Sequence, residues 1–246
     1  MSSLTELVQT GLRRIGLDVR RVRREGAEYA DVFPRATYSP WNTDRVFRAF
    51  YERIERYTLV DVHRCHELWT LTRDLAAVPG AILEIGVWRG GTGAVLGKAA
   101  ELAGIRDPVY LCDTFRGVPK AGPRDPVYRG GEHADTSREG VEGLMRDLSL
   151  ERVQVIEGVF PDESASRVTA TAFRLVHVDV DVYDSAKDCV EYVWPRTSPG
   201  GVVVFDDYGF EGLGGIRQYV DEQRGRRGGL VVHNLNGHAL LVKVGA

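Results

Sequence analysis

Short apolar runs recur along the chain at 81–87, 109–112, 153–156, 173–182 and 201–205, and stretches of helical spacing lie between them. That alternation predicts five β-α units built on a parallel sheet. Two further apolar runs, 230–233 and 239–244, are joined through 234–237 and predict a terminal antiparallel pair. Helical patterns cover 44–55, 60–77, 94–103, 138–148, 185–193 and 212–223. In the run from Phe173 to Asp184, Val176, Val178, Val180 and Val182 would face one side of an extended chain, and Leu175, His177, Asp179 and Asp181 the other. Four valines favour a strand covered on both faces. His177, inside that strand, reads as a packed core histidine, with general base as the rival role.

Outside these units the pattern changes. Within 1–26, Leu12, Ile15, Val19 and Val22 fall at helical spacing, ringed by arginines. This predicts one or two amphipathic helices that either pack on the body or meet an acidic partner. Residues 27–43 read as a loop. Residues 114–137 are rich in glycine, proline and charge, and a loop this long suits a lid over a binding site.

Composition narrows the class. With 246 residues, 43% apolar and 27% charged, the chain suits one large α/β core. A net charge of -3 gives no case for nucleic-acid or membrane partners. Cys65, Cys112 and Cys189 form no CxxC pair and read as reduced thiols of a cytoplasmic protein. No signal core or membrane-length apolar run is present in the sequence.

The candidate chemistry lies where strands end. Acids follow the fourth run (Asp179, Asp181) and the fifth (Asp206, Asp207), and ligands of open α/β sheets sit outside carboxyl ends. Such oxygen donors suit Mg²⁺ or a similar cation, or they cap the following helices. The first run leads into Trp88-Arg-Gly-Gly-Thr-Gly93, a glycine-rich turn at a helix start. Its spacing is not GxGxxG, which counts against a standard dinucleotide fingerprint. Glu84 on that strand would repel a pyrophosphate but could pair with the ammonium of an amino-acid-bearing cofactor. Asp113, closing the second run, has the placement of a ribose hydroxyl acceptor or of a turn aspartate.

Five segments in order carry a family resemblance: Leu83-Glu-Ile-Gly-Val-Trp-Arg-Gly-Gly91, Asp113-Thr-Phe-Arg-Gly-Val-Pro119, Glu157-Gly-Val-Phe-Pro161, His177-Val-Asp-Val-Asp-Val-Tyr183 and Phe205-Asp-Asp-Tyr208. Together they resemble the macrocin O-methyltransferase family over roughly 56–224. The resemblance implies a Rossmann-like, seven-stranded, mostly parallel methyltransferase fold with an antiparallel last strand. It implies an N-terminal helical and lid segment over 1–60 and a methyltransferase domain over 61–246. The implied cofactors are S-adenosylmethionine and Mg²⁺, and the implied activity is methylation of a sugar hydroxyl in antibiotic biosynthesis.

By the same resemblance, Tyr57, Thr58, Glu84, Gly86, Gly90, Thr92, Asp113, Thr114, Glu157, Gly158 and Asp179 would contact the cofactor. Asp179, Asp206 and Asp207 would hold the metal, Asp181 would be the general base beside Asp179, and Tyr128, His133 and Tyr208 would face the acceptor. The partner would be a glycosylated small molecule, and the enzyme a homodimer or larger. A metal-dependent phenol or catechol O-methyltransferase is the nearest alternative. An NAD-linked oxidoreductase, an RNA methyltransferase and a non-catalytic binding protein fit the residues less well.

Overall fold

The computed structural model describes residues 36–245, together with Leu12, 27–30 and Val32. Met1–Arg35 and Ala36–Ala246 form two compact units. The amphipathic pattern expected over 1–26 lies outside the described residues, apart from Leu12, which is helical.

The second unit opens with helices. The expected loop over 27–43 ends in a helical turn, α1 (Pro40–Thr43), because proline at the first helical position is pre-set for a helix. Helix α2 (Arg45–Ile54) is capped by Asp44, whose Oδ1 accepts from the Val46 and Phe47 amides at 3.0 Å. The Trp69 indole donates to the other oxygen at 3.3 Å. Asp44→Ala should therefore destabilise the fold by about 1 kcal/mol and lower Tm by about 2–4 °C. An unshifted thermal transition would show that the cap is idle. Helix α3 (Val62–Asp74) is capped in the same way by Asp61.

The sheet follows the predicted alternation. The elements are β1 (Ala81–Ile85), α4 (Gly91–Leu102), β2 (Val109–Asp113), α5 (Arg138–Asp147), β3 (Val153–Glu157), β4 (Phe173–Val178), α6 (Tyr183–Val193), β5 (Thr197–Phe205), α7 (Gly214–Glu222), β6 (Gly229–His233) and β7 (Ala239–Lys243). Strand order is β3-β2-β1-β4-β5-β7-β6, parallel except where β7 runs antiparallel between β5 and β6. Alternation along the strands divides the core into two layers. Ile82, Leu175 and Val202 face α2 to α5, whereas Leu83, Val176 and Val203 face α6 and α7. The same alternation turns Glu84 and His177 toward the first layer. They sit opposite each other in the β1–β4 register.

One expectation fails at β4. The strand stops at Val178, so Asp179 and Asp181 do not share a face of an extended chain. Val182 N–H donates to the Val180 carbonyl at 2.7 Å, and Asp181 between them has φ +64°. This i→i+2 turn ends the alternation, and aspartate is among the residues that tolerate a positive φ. Strain of this kind tends to gather at functional sites.

The segment 114–137 has no helix or strand, as expected of a lid. It is nevertheless tied down. Val118 pairs with Glu132 and Gly131 through backbone bonds of 2.9 and 3.0 Å. Lys120 bridges Asp162 and Asp188 at 2.7 and 2.6 Å, and Asp135 receives the Trp88 indole at 2.8 Å. Among the described residues, no helix is long and apolar enough to cross a membrane.

Candidate active site

A cavity of about 340 Å³ lies outside the carboxyl ends of the parallel strands. Gly86 shows how tightly its floor is built. A Cβ there would come within 1.6 Å of the Asp179 carbonyl, and φ is +85°. Only glycine lets β1 turn so close to the end of β4. Of the residues predicted from sequence, Thr58, Gly86, Thr92, Asp113, Thr114, Gly158, Asp179, Asp181, Asp206, Asp207, Tyr128 and His133 line this cavity.

Five predicted residues do not line it. Tyr57 instead accepts a 3.0 Å bond from Arg56. Gly90 serves as the N-cap of α4 with φ +89°. Glu157 is exposed, and its carbonyl takes the Arg167 guanidinium. Tyr208 is buried, but its hydroxyl donates to Asp221 at 2.9 Å and accepts from Arg224 at 3.1 Å. Glu84 is fully buried behind the lining.

Glu84 is nonetheless central. Its Oε1 bonds Nδ1 of His177 at 2.9 Å, while its Oε2 is buried with no hydrogen-bond partner among the described residues. A Cβ on Gly93 would lie 2.7 Å from that free oxygen, so the carboxylate rests against the first turn of α4. An unpaired buried carboxylate oxygen is costly and fits an ammonium-bearing cofactor. Asp113 behaves as a loop organiser. Its carboxylate accepts from the Val87, Trp88 and Phe115 amides at 2.6, 2.9 and 2.7 Å. A carboxylate has about four acceptor positions, so one is left for a ribose hydroxyl.

The acids at β4 and β5 converge. Ligand oxygens of Asp179, Asp206 and Asp207 all lie within 4.8 Å of one another. Burial together with the neighbouring carboxylates Asp206 and Asp207 pushes the Asp179 carboxyl far above its ordinary range. Burial, Asp181 and Asp206 do the same to Asp207. Asp206 goes the other way: burial opposes it, but His177, His238 and Arg64 hold it well below the carboxylate range. A hard divalent cation matches this all-oxygen set and would relieve its crowding, so the residues present fit the metal.

Asp181 stands beside the trio. Its backbone N–H donates to Asp207 Oδ2 at 3.0 Å, and its Oδ1 accepts from the Tyr128 hydroxyl at 2.5 Å. Burial raises its pKa, and the Tyr128 bond partly offsets this. A lid tyrosine therefore already presents a hydroxyl to the expected base.

Three residues the sequence did not single out belong here. Arg64 is buried in the cavity wall under the Phe210 ring, at 4.6 Å, and pairs with Asp61 at 2.8 Å and with Asp206. Glu67, one turn further along α3, bonds His238 at 2.7 Å, and His238 bonds Asp206 at 2.9 Å. His177 is the core histidine expected, though it is not inert. Burial pushes its pKa down, but Asp206 and Glu84 outweigh that and lift it to about 10. Its Nε2 lies 3.5 Å from Asp206, a charge contact rather than a hydrogen bond.

The profile of the macrocin-O-methyltransferase (TylF) family matches residues 52–231. A rhamnosyl-tetracenomycin-C 4'-O-methyltransferase of Streptomyces olivaceus is 29% identical over 184 residues, covering 70% of this chain and 69% of that protein. The demethyldecarbamoylnovobiocin O-methyltransferase of Streptomyces niveus is 28% identical, covering 62% of each chain. The mycinamicin III 3''-O-methyltransferase of Micromonospora griseorubida is 31% identical, covering 61% of this chain and 63% of its own length. The chain thus spans just under two thirds of the latter two relatives. Among solved structures, the O-methyltransferase NovP superposes with a TM-score of 0.69 at 25% identity, over 77% of this chain and 83% of that one. A calicheamicin methyltransferase shares the fold, with a TM-score of 0.61 at 17% identity, over 85% of this chain and 99% of that one.

Proposed function

The chain belongs to the macrocin-O-methyltransferase family, and from that premise we propose that it methylates a sugar hydroxyl of a glycosylated natural product. The methyl donor is S-adenosylmethionine, and Asp179, Asp206 and Asp207 would hold a divalent cation such as Mg²⁺. The observation that carries this reading is the convergence of those three carboxylates beside Asp181. When bound, the cofactor supplies an activated methyl group and the cation supplies positive charge at the acceptor oxygen.

The chain's own residues do the rest. Glu84 Oε2 would take the cofactor's ammonium, and the remaining acceptor position of Asp113 would take a ribose hydroxyl. Asp181 accepts the proton of the acceptor hydroxyl, whose free pKa lies far above neutrality. Tyr128, His133 and Thr58 line the cavity, where they would face the acceptor and help exclude water. Alignment of the hydroxyl with the methyl supplies much of the remaining acceleration.

A sugar is favoured over a phenol because the tetracenomycin relative is named for methylating a rhamnosyl derivative. The reading includes a helical and lid segment over 1–60, a catalytic domain over 61–246, a cytoplasmic location and a homo-oligomer. Labelled S-adenosylmethionine incubated with Mg²⁺ and a panel of glycosylated and catechol acceptors tests it. Label should pass to a sugar oxygen and stop on addition of chelator. Transfer to catechols alone, or transfer indifferent to chelator, would contradict it.

A further inference from the structure

Helix α3 holds Asp206 directly through Arg64 and indirectly through His238. Arg64 on α3 holds its Oδ2. Its Oδ1 is bonded at 2.9 Å to Nε2 of His238, and Nδ1 of the same ring is bonded at 2.7 Å to Oε2 of Glu67, also on α3. His238 is fully buried and sits at the base of the β6–β7 turn. Glu67 is fixed in turn by the side-chain amides of Asn234 and, at 2.5 Å, Asn236. A carboxylate on α3, an imidazole at the terminal hairpin and a second carboxylate therefore form a chain of hydrogen bonds that ends at the acidic trio.

Hydrogen bonds of this kind set the direction in which a ligating carboxylate presents its lone pairs. Such outer partners are commonly worth about 10–100-fold in metal affinity. We propose that Glu67 and His238 are positioning residues for the divalent cation. They fix Asp206 by tying it, through the base of the β6–β7 turn, to α3. The inference rests on the reading of Asp206 as a cation ligand. A lock that merely pins the hairpin would affect the unfolding temperature and leave cation affinity alone.

Mn²⁺ titration followed by electron paramagnetic resonance separates these cases, on the full chain with S-adenosylhomocysteine present and no turnover. The proteins are the wild type, Asp206→Asn, Glu67→Gln, His238→Ala and His238→Gln. His238→Ala should weaken Mn²⁺ about 10–100-fold. His238→Gln, which keeps a donor near the Nε2 position, should recover part of that loss. Glu67→Gln keeps the side-chain shape and should fall between the wild type and His238→Ala, which preserves a readable variant if the alanine does not fold. S-adenosylhomocysteine affinity without cation should stay near the wild-type value in the His238 and Glu67 variants. If Asp206→Asn abolishes Mn²⁺ binding while the His238 and Glu67 variants bind as the wild type does, the relay is overturned and the acidic site stands. If Asp206→Asn itself binds Mn²⁺ normally, the acidic site fails and the relay falls with it.

Discussion

Asp181→Asn should lower kcat by about 10²–10⁴-fold at saturating cofactor and acceptor, the range associated with loss of a positioned general base. The argument is geometric first. Asp181 sits at the tip of a tight turn with φ +64°, lines the cavity, and already accepts a hydroxyl proton donor, Tyr128, at 2.5 Å. An acceptor alcohol entering the cavity would meet the same oxygen. Burial lifts the Asp181 pKa and so strengthens it as a base. Asparagine keeps the shape and tolerates the positive φ, so the turn should survive. Affinity for S-adenosylhomocysteine should therefore remain near the wild-type value. A kcat close to that of the wild type would remove Asp181 from the mechanism and leave the proton to another group.

Glu84→Gln should weaken S-adenosylhomocysteine by about 10- to 100-fold, because hydrogen bonds to charged groups contribute about 1.5–3 kcal/mol. Glu84 is fully buried, and its Oε2 has no partner among the described residues. The glutamine amide removes the charge that would hold an ammonium while occupying nearly the same volume. The substitution also withdraws one of two carboxylates from His177, which makes thermal stability a necessary control. Unchanged cofactor affinity in a folded variant would mean that the free oxygen serves the fold alone.

Much of this arrangement is legible in the sequence. Valine-rich runs fix the parallel strands, and the acids that follow them mark the carboxyl end of the sheet, outside which ligands of open α/β sheets bind. What escapes the sequence is pairing across distance. Glu84 and His177 are separated by 93 residues, yet the β1–β4 register sets them side by side. Arg64 and Glu67 fall within the helical pattern over 60–77 with nothing local to mark them. Their role emerges only when α3 meets Asp206 and the turn carrying His238. A Glu and an Arg three apart on one helical face, with a histidine in a turn, give too weak a local signal to identify this cluster.

Local chemistry explains the other departures. The alternation of β4 continues on paper through Val182, but the turn at Asp181 ends the strand at Val178. Tyr208 follows the acids directly, yet Asp221 and Arg224 claim its hydroxyl. Tyr57 gives way to its neighbours Thr58, Leu59 and Val60 at the cavity wall.

The most direct test of the central claim is calorimetric titration of the protein with S-adenosylmethionine and S-adenosylhomocysteine, with NAD as control, in Mg²⁺ and in chelator. The account predicts binding of both sulfur ligands and none of NAD. It also predicts a separate Mg²⁺ binding event that disappears in Asp206→Asn. Binding of NAD, or of neither sulfur ligand, would contradict the roles of Glu84 and Asp113 and with them the proposed methyl transfer.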